Sequence, residues 1–254
     1  MSYAPQKKKH RWVGPVIVLA VLIGLVVAAF FVAEKLARDA AGGVISQPIR
    51  NALGTSGPVD VDLGSGLFLL QAASGSLDEV TITTGGLPVG EGSADLLLVA
   101  QGLPLDTGGT ADSITASLTL DATAMQSVVT EGSTVTFVPG AFIVASTADF
   151  GGVPTPVELT VVPSAAEGVI ALEVTAVAVN GSPVDLEDVR NGSYGPTGAA
   201  LLTPAPLCVN TYLPAALGLS SAVVTGDGLV LGFAGNNVKI NALSTKGVCP
   251  TVGE

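Results

Sequence analysis

Hydrophobic and polar positions along the chain fall into three regimes. The first is the run Trp12–Ala33 (WVGPVIVLAVLIGLVVAAFFVA), which holds no charge and matches the roughly 20 apolar residues a helix needs to cross a bilayer core. Lys7, Lys8, Lys9 and Arg11 precede it, whereas Glu34, Lys35, Arg38 and Asp39 follow it. That bias predicts a cytoplasmic basic tail over 1–11, a transmembrane helix over 12–33 with the N-terminus cytoplasmic, and an extracytoplasmic remainder. A cleaved secretory signal would share the basic start, and Ala28, Ala29 and Ala33 offer small residues for a cut. Signal cores run to about 7–15 residues, so length favours an uncleaved anchor. No cysteine closes the run, so lipidation there has no acceptor.

The second regime, 34–58, repeats apolar residues at Leu36, Ala40, Val44, Ile45, Ile49 and Leu53, which is helical spacing. Gly42, Gly43 and Pro48 interrupt it, so the expectation is a first helix or stalk with a kink.

The third regime, 59–254, alternates with period two between turn signals. Val59, Val61 and Leu63 alternate with Asp60 and Asp62, and Leu67–Ala73 reads as a short apolar helix that Gly75 would end. Val80 and Ile82 alternate before the connection GGLPVGEG; Ala94–Leu103 is apolar on both faces, as a covered sheet requires. Ile114–Leu120 is a further strand, after which Asp121 caps a short helix carrying Met125. Strands are then expected over Val135–Val138, Ala141–Asp149, Val157–Val162 and Val169–Val179, with turns at Pro163–Gly168 and Asn180-Gly181. Asp185, Glu187 and Asp188 read as a solvated polar loop without the spacing of an EF-hand. Leu213–Leu217 is expected to form a short helix, and Gly226-Asp227-Gly228 a hairpin turn between Ala222–Val224 and Leu229–Phe233. The fold class is therefore α+β, a mostly antiparallel sheet with short helices, in one exported domain.

Composition narrows the function. From Leu36 onward there are five basic and twenty acidic residues, a net charge of −15, which repels nucleic acid and anionic lipid surfaces. Cys208 and Cys249 both lie in the exported part, where an oxidising milieu favours one disulfide, worth about 4 kcal/mol for a loop of this length. The single histidine, His10, precedes the apolar run, so the exported part has no His-based nucleophile or base, and no GxSxG elbow occurs. A Ser-Lys pair using Lys239 or Lys246, or a carboxylate pair, is conceivable but unsignalled. Neither a catalytic site, a metal site nor a cofactor is expected.

The block Val59–Gly92 then carries a resemblance. VDVDLG followed by LFLLQAASGSLDEVTITTGGLPVG places Leu67, Phe68, Leu69, Gln71, Gly75, Val80, Leu87 and Val89 as they occur in the actinobacterial LmeA-type phospholipid-binding family. Tyr212-Leu213-Pro214, Gly226-Asp227-Gly228-Leu229 and Gly247-Val248-Cys249 resemble that family's closing pattern, although Gly66-Leu67 replaces its usual proline. The resemblance implies a tubular lipid-binding fold, a curved antiparallel sheet wrapping helices around an apolar groove for acyl chains. It also implies a phospholipid partner, of the phosphatidylinositol type in characterised members, and a role in maturing envelope glycolipids.

Candidate groove residues are Leu67, Phe68, Leu70, Leu96, Leu98, Phe137 and Phe142. Sheltering an alkyl chain is worth about 0.8 kcal/mol per methylene, so such a groove needs continuous dry surface. The competing reading is a structural or adhesive envelope module whose apolar residues fill an ordinary core. Interior space separates the two.

Overall fold

Period-two alternation builds two antiparallel sheets. The structure is a computed structural model that describes residues 29, 31–43, 46, 50–51, 55, 57–89, 91–126, 129, 132–166, 168–210 and 214–249. The predicted span 12–33 lies almost wholly outside these residues, and among the described ones no helix is long and apolar enough to cross a membrane.

The first sheet contains β1 (Val59–Asp62), β2 (Ser76–Val89), β3 (Gly92–Pro104), β4 (Thr110–Leu120), β11 (Gly218–Val224) and β12 (Leu229–Lys239), in the spatial order β1-β2-β3-β4-β12-β11. The second contains β5 (Thr134–Val138), β6 (Ala141–Asp149), β7 (Pro154–Ala166), β8 (Val169–Val179) and β10 (Leu207–Cys208) in the order β10-β8-β7-β6-β5, with β9 (Ser182–Val184) paired to β8. Helices are short: α1 over 31–43, α2 (Phe68–Ser74), α3 (Ala122–Gln126), α4 (Leu186–Arg190) and α5 (Gly195–Leu201).

The main core lies between the sheets. Leu120, Leu229, Leu231 and Phe233 from the first sheet meet Phe142, Val157, Val161, Ile170, Val174 and Val177 from the second, with Met125 of α3 among them. Asp121 anchors α3: its Oδ1 accepts from the Ala124 N–H at 2.7 Å, and its Oδ2 accepts from the Ser93 hydroxyl at 2.8 Å. One carboxylate thereby caps a helix and joins it to β3.

The expected β6 and β8 are met residue for residue, and the hairpin of β11 and β12 turns where expected, the Thr225 N–H closing onto Gly228 O at 2.9 Å, with both strands longer than the sequence suggested. Gly75 ends α2 with φ 85°, the left-handed cap that glycine adopts without steric cost.

Four local expectations are corrected. β2 continues through Gly85-Gly86 and Leu87 to Val89, with an irregular register between Thr84 and Leu87, so most of the expected GGLPVGEG connection is strand. β7 runs on to Ala166 past the expected turn at Pro163; its pairing with β6 stops at Val161, so proline's missing N–H falls where the strand has a neighbour on one side only. The acidic cluster is α4 and its cap, not a loop: Asp185 Oδ1 accepts from the Glu187 N–H at 2.8 Å, and Glu187 and Asp188 sit in the first turn where the helix dipole favours negative charge. No helix forms over Pro214–Leu217. Pro214 bridges to Lys246 and the Ala215 N–H donates to Thr245 O at 2.7 Å, so pairing with the C-terminal segment replaces a helix too short to offset its nucleation cost. The Cys208–Cys249 disulfide, with Cα atoms 5.9 Å apart, ties that same segment to β10.

The helical spacing from Glu34 gives α1, described to Gly43, and α1 is fastened to the domain rather than projecting from it. The buried Glu34 carboxylate accepts from the backbone N–H groups of Phe68 and of Leu69, the latter at 2.9 Å. Arg38 donates to the carbonyls of Gly64 and Gly66 and reaches Glu34 Oε1 at 3.2 Å. Because the residue before α2, Leu67, has no side chain able to cap it, a carboxylate 34 residues earlier satisfies the amides that α2 leaves open. Burial pushes the Glu34 carboxyl upward, but the Leu69 and Phe68 amides and Arg38 outweigh it and hold the group below the usual carboxylate range.

Three outcomes follow from these contacts. Replacing Cys208 and Cys249 by serine lowers unfolding stability by about 4 kcal/mol, the loop-closure value for a separation of 41 residues, as read by denaturant titration; an unchanged midpoint contradicts the cross-link. Asp121 is held below its ordinary pKa by the Ala124 amide above all, against burial, with help from Ser93 and Thr123. Its contribution, like that of Glu34, is full above the unfolded carboxylate range near about pH 4 and disappears as pH falls through the lower folded value. Asp121→Ala should cost about 1 kcal/mol at neutral pH and flatten this acid limb. Glu34→Ala should accelerate hydrogen exchange at the Phe68 and Leu69 amides while the β3 and β4 amides keep their protection, and equal exchange in both proteins would remove the clamp from the account.

Candidate functional site

The registers of the first sheet align apolar residues in rows that cross all six strands. One row is Val61, Ile82, Leu98, Ala116, Phe233 and Leu219; the next is Val59, Thr84, Leu96, Leu118, Leu231 and Ala222. Side chains alternate between faces along a strand, so these rows share one face, while Thr81, Thr83, Val99, Thr115 and Ser117 lie on the other. The first face is therefore apolar along these rows except at Thr84, while the opposite one mixes hydroxyls with Val99 and the exposed Leu97.

Three packed clusters cover parts of the apolar face. At the β11–β12 edge it meets the second sheet. At the β1–β2 edge Leu63, Leu77 and Val80 pack with Ala41 of α1 and Phe68 of α2. At the end where β4 begins, Ala100, Ala111, Ile114 and Val238 are covered by Ala216, Leu217 and Leu243. Between the three lies a strip made of Ile82, Leu96, Leu98, Ala116 and Leu118, all only half-buried. Ile82, Leu98, Ala116 and Leu118 touch the margins of the clusters; Leu96, among the described residues, belongs to none of them. An apolar strip bounded on three sides and incompletely covered can take an alkyl chain by shape alone.

The seven residues singled out from sequence separate into three places. Leu96 and Leu98 lie in the strip, and Phe68 packs in the adjoining cluster with Ile82. Leu67 and Leu70 are exposed at and just beyond the start of α2. Phe137 and Phe142 face each other across β5 and β6, Phe142 inside the inter-sheet core and Phe137 against it. Sequence reasoning missed Ile82, Ala116 and Leu118 as lining; each stands in a recognisable alternation, and only the strand order, which brings β4 beside β3, places them next to Leu96 and Leu98.

Two concavities lie beside the strip, the first polar and the second of mixed character. One of about 420 Å³ opens between α1 and β1, with Arg38, Asp39 and Ser46 facing Asp60 and Asp62. Its size suits a small polar group rather than a pair of acyl chains. A second, of about 460 Å³, is lined by Asn210, Ala215, Leu217, Leu219 and Val248 near the disulfide-tied segment, at the β11 end of the first row. Among the described residues no group of three or more His, Cys, Asp or Glu side chains could hold a metal ion. Lys239 and Lys246 are both exposed.

Neither the curated proteins nor the solved structures contain a match to the chain. The model of the LmeA-like phospholipid-binding family does match, over residues 32–234. That stretch begins in α1, covers both sheets as far as Ala234 in β12, and includes every residue of the half-buried strip. The chain belongs to the LmeA-like phospholipid-binding family.

Proposed function

We propose that this protein is a membrane-anchored, extracytoplasmic phospholipid-binding protein that acts without catalysis in the upkeep of envelope lipids and glycolipids. The observation that carries the reading is the half-buried strip Ile82, Leu96, Leu98, Ala116 and Leu118 on a sheet whose remaining apolar face is packed. Acyl chains lie along the strip, and α1, whose Ala41 already packs at the β1–β2 margin, is the helix that a tubular lipid-binding sheet wraps. A phosphatidylinositol-type headgroup suits the polar concavity at Arg38, Asp39, Ser46 and Asp60, where hydroxyls and a phosphate find donors and acceptors together. Anchoring by the run Trp12–Ala33 is supported by its length and flanking charges.

One observation favours the second reading, a structural or adhesive module: the interior between the two sheets is filled by side chains such as Phe142, Val157 and Leu229, each almost wholly buried. Acyl chains on this account therefore bind to the strip and not between the sheets.

One substitution separates the readings and a second controls for stability. Leu96→Asp should reduce uptake of a fluorescent phospholipid at least about tenfold, since an unpaired carboxylate against an alkyl chain costs more than the roughly 1.4 kcal/mol that this factor represents. Its thermal midpoint should change little, because Leu96 already meets solvent in part. Phe142→Ala should cost about 3–5 kcal/mol of stability, yet the folded fraction should retain uptake. Uptake unchanged by Leu96→Asp, or absent from the unaltered protein, favours the module.

A further inference from the structure

We infer that the end of the domain formed by the start of α2 and the loop after β3 rests directly on the membrane surface, with Leu67, Leu70 and Leu105 in contact with the lipid of the extracytoplasmic leaflet. This rests on the anchored reading above and adds to it the posture of the domain.

The apolar run of the sequence ends at Ala33, and its last three residues are already the first turn of α1, which continues unbroken through Glu34 to Gly43. Glu34, the first residue past the run, is the one whose carboxylate holds the Phe68 and Leu69 amides. No linker therefore separates the anchor from the domain. If the run spans the hydrocarbon core, Glu34 stands at its boundary, and α2 stands at the same depth because the two are hydrogen-bonded.

The surface at that depth is apolar. Leu67 is 40% exposed and Leu70 65%, on the residue that starts α2 and in its first turn. Leu105, 52% exposed, follows from the other end of the same helix, where its N–H donates to Gly75 O at 2.9 Å. A seven-residue helix is only about 10 Å long, so Leu67 and Leu70 stand beside the amides that Glu34 holds and Leu105 about one helix length farther on. Val32 and Leu36, 60% and 64% exposed, lie one helical turn apart on α1, on either side of Glu34.

Acidic neighbours limit the depth of contact. Asp78, Glu79 and Asp106 are exposed beside α2 and Leu105, so the leucines meet the level of the headgroups and upper acyl chains, about 5–10 Å deep, and an anionic leaflet is disfavoured. The opposite end of the first sheet is the hairpin at Asp227, between β11 and β12, which this posture holds far from the bilayer.

The test uses the full chain in nanodiscs of zwitterionic phosphatidylcholine. An environment-sensitive fluorophore is attached in separate samples at Leu70→Cys and Asp227→Cys, both exposed positions, with the native disulfide intact. The expected result is blue-shifted emission at position 70 and quenching by shallow spin-labelled lipid at least about twice that at position 227, as for side chains at interfacial depth. Equal, weak quenching at both positions in protein that still co-elutes with the discs overturns the posture and leaves the anchor standing. Protein that does not co-elute with the discs overturns the anchor and the posture together.

Discussion

The architecture depends on a mismatch between two sheets. The first carries an apolar face six strands wide, while the second covers β11, β12, the end of β4 and, beside them, Ala94 of β3 and Leu87 and Val89 of β2. Apolar area left in water costs about 25 cal/mol per Å², so the rest of that face must find cover. Short elements provide much of it: α1 and α2 at the β1–β2 edge, and the segment Ala216–Leu217 with Leu243 where β4 begins. What they leave is a strip whose residues are neither surface nor core. A purely structural sandwich has no use for such a strip, and a protein that binds phospholipid does.

The Glu34–Arg38 clamp matters because it determines where that sheet sits. A carboxylate with two amide partners and a guanidinium, all tied to the β1–α2 turn, leaves α1 little freedom relative to β1. Thr55 continues the attachment, its hydroxyl donating to Gly85 O at 3.1 Å where β2 loses its regular register. There Gly57 passes so close to the Gly85 carbonyl that no Cβ would fit. The chain before β1 is thereby pinned at both ends of β2, which keeps the β1 margin of the apolar face covered and leaves the strip farther in.

Most elements were legible in the sequence because they rest on local signals: alternation in Val169–Val179, an Asp before α3, a glycine after α2, a Gly-Asp-Gly hairpin. The misreadings arose where distant partners decide. Pro214–Leu217 looks helical until its backbone groups find Thr245 and Lys246, and Gly85-Gly86 reads as a turn until the Thr55 hydroxyl and the Asp95 carboxylate hold it in line. The site was half legible for the same reason. Leu96 and Leu98 stand out as apolar residues on a strand, but Phe142, equally apolar, fills the core instead, and only the sheet order distinguishes them. The Glu34 cap, reaching across 34 residues, left no local signal; its sole trace is that Leu67 cannot cap the helix it precedes.

The central claim is that acyl chains lie on the strip, and photo-crosslinking with a phospholipid carrying a diazirine near the end of one acyl chain tests it most directly. Peptide mapping should place the adducts on β2, β3 and β4, at or beside Ile82, Leu96, Leu98, Ala116 and Leu118. Adducts confined to β5–β8, or none above the level given by a soluble diazirine, would contradict it.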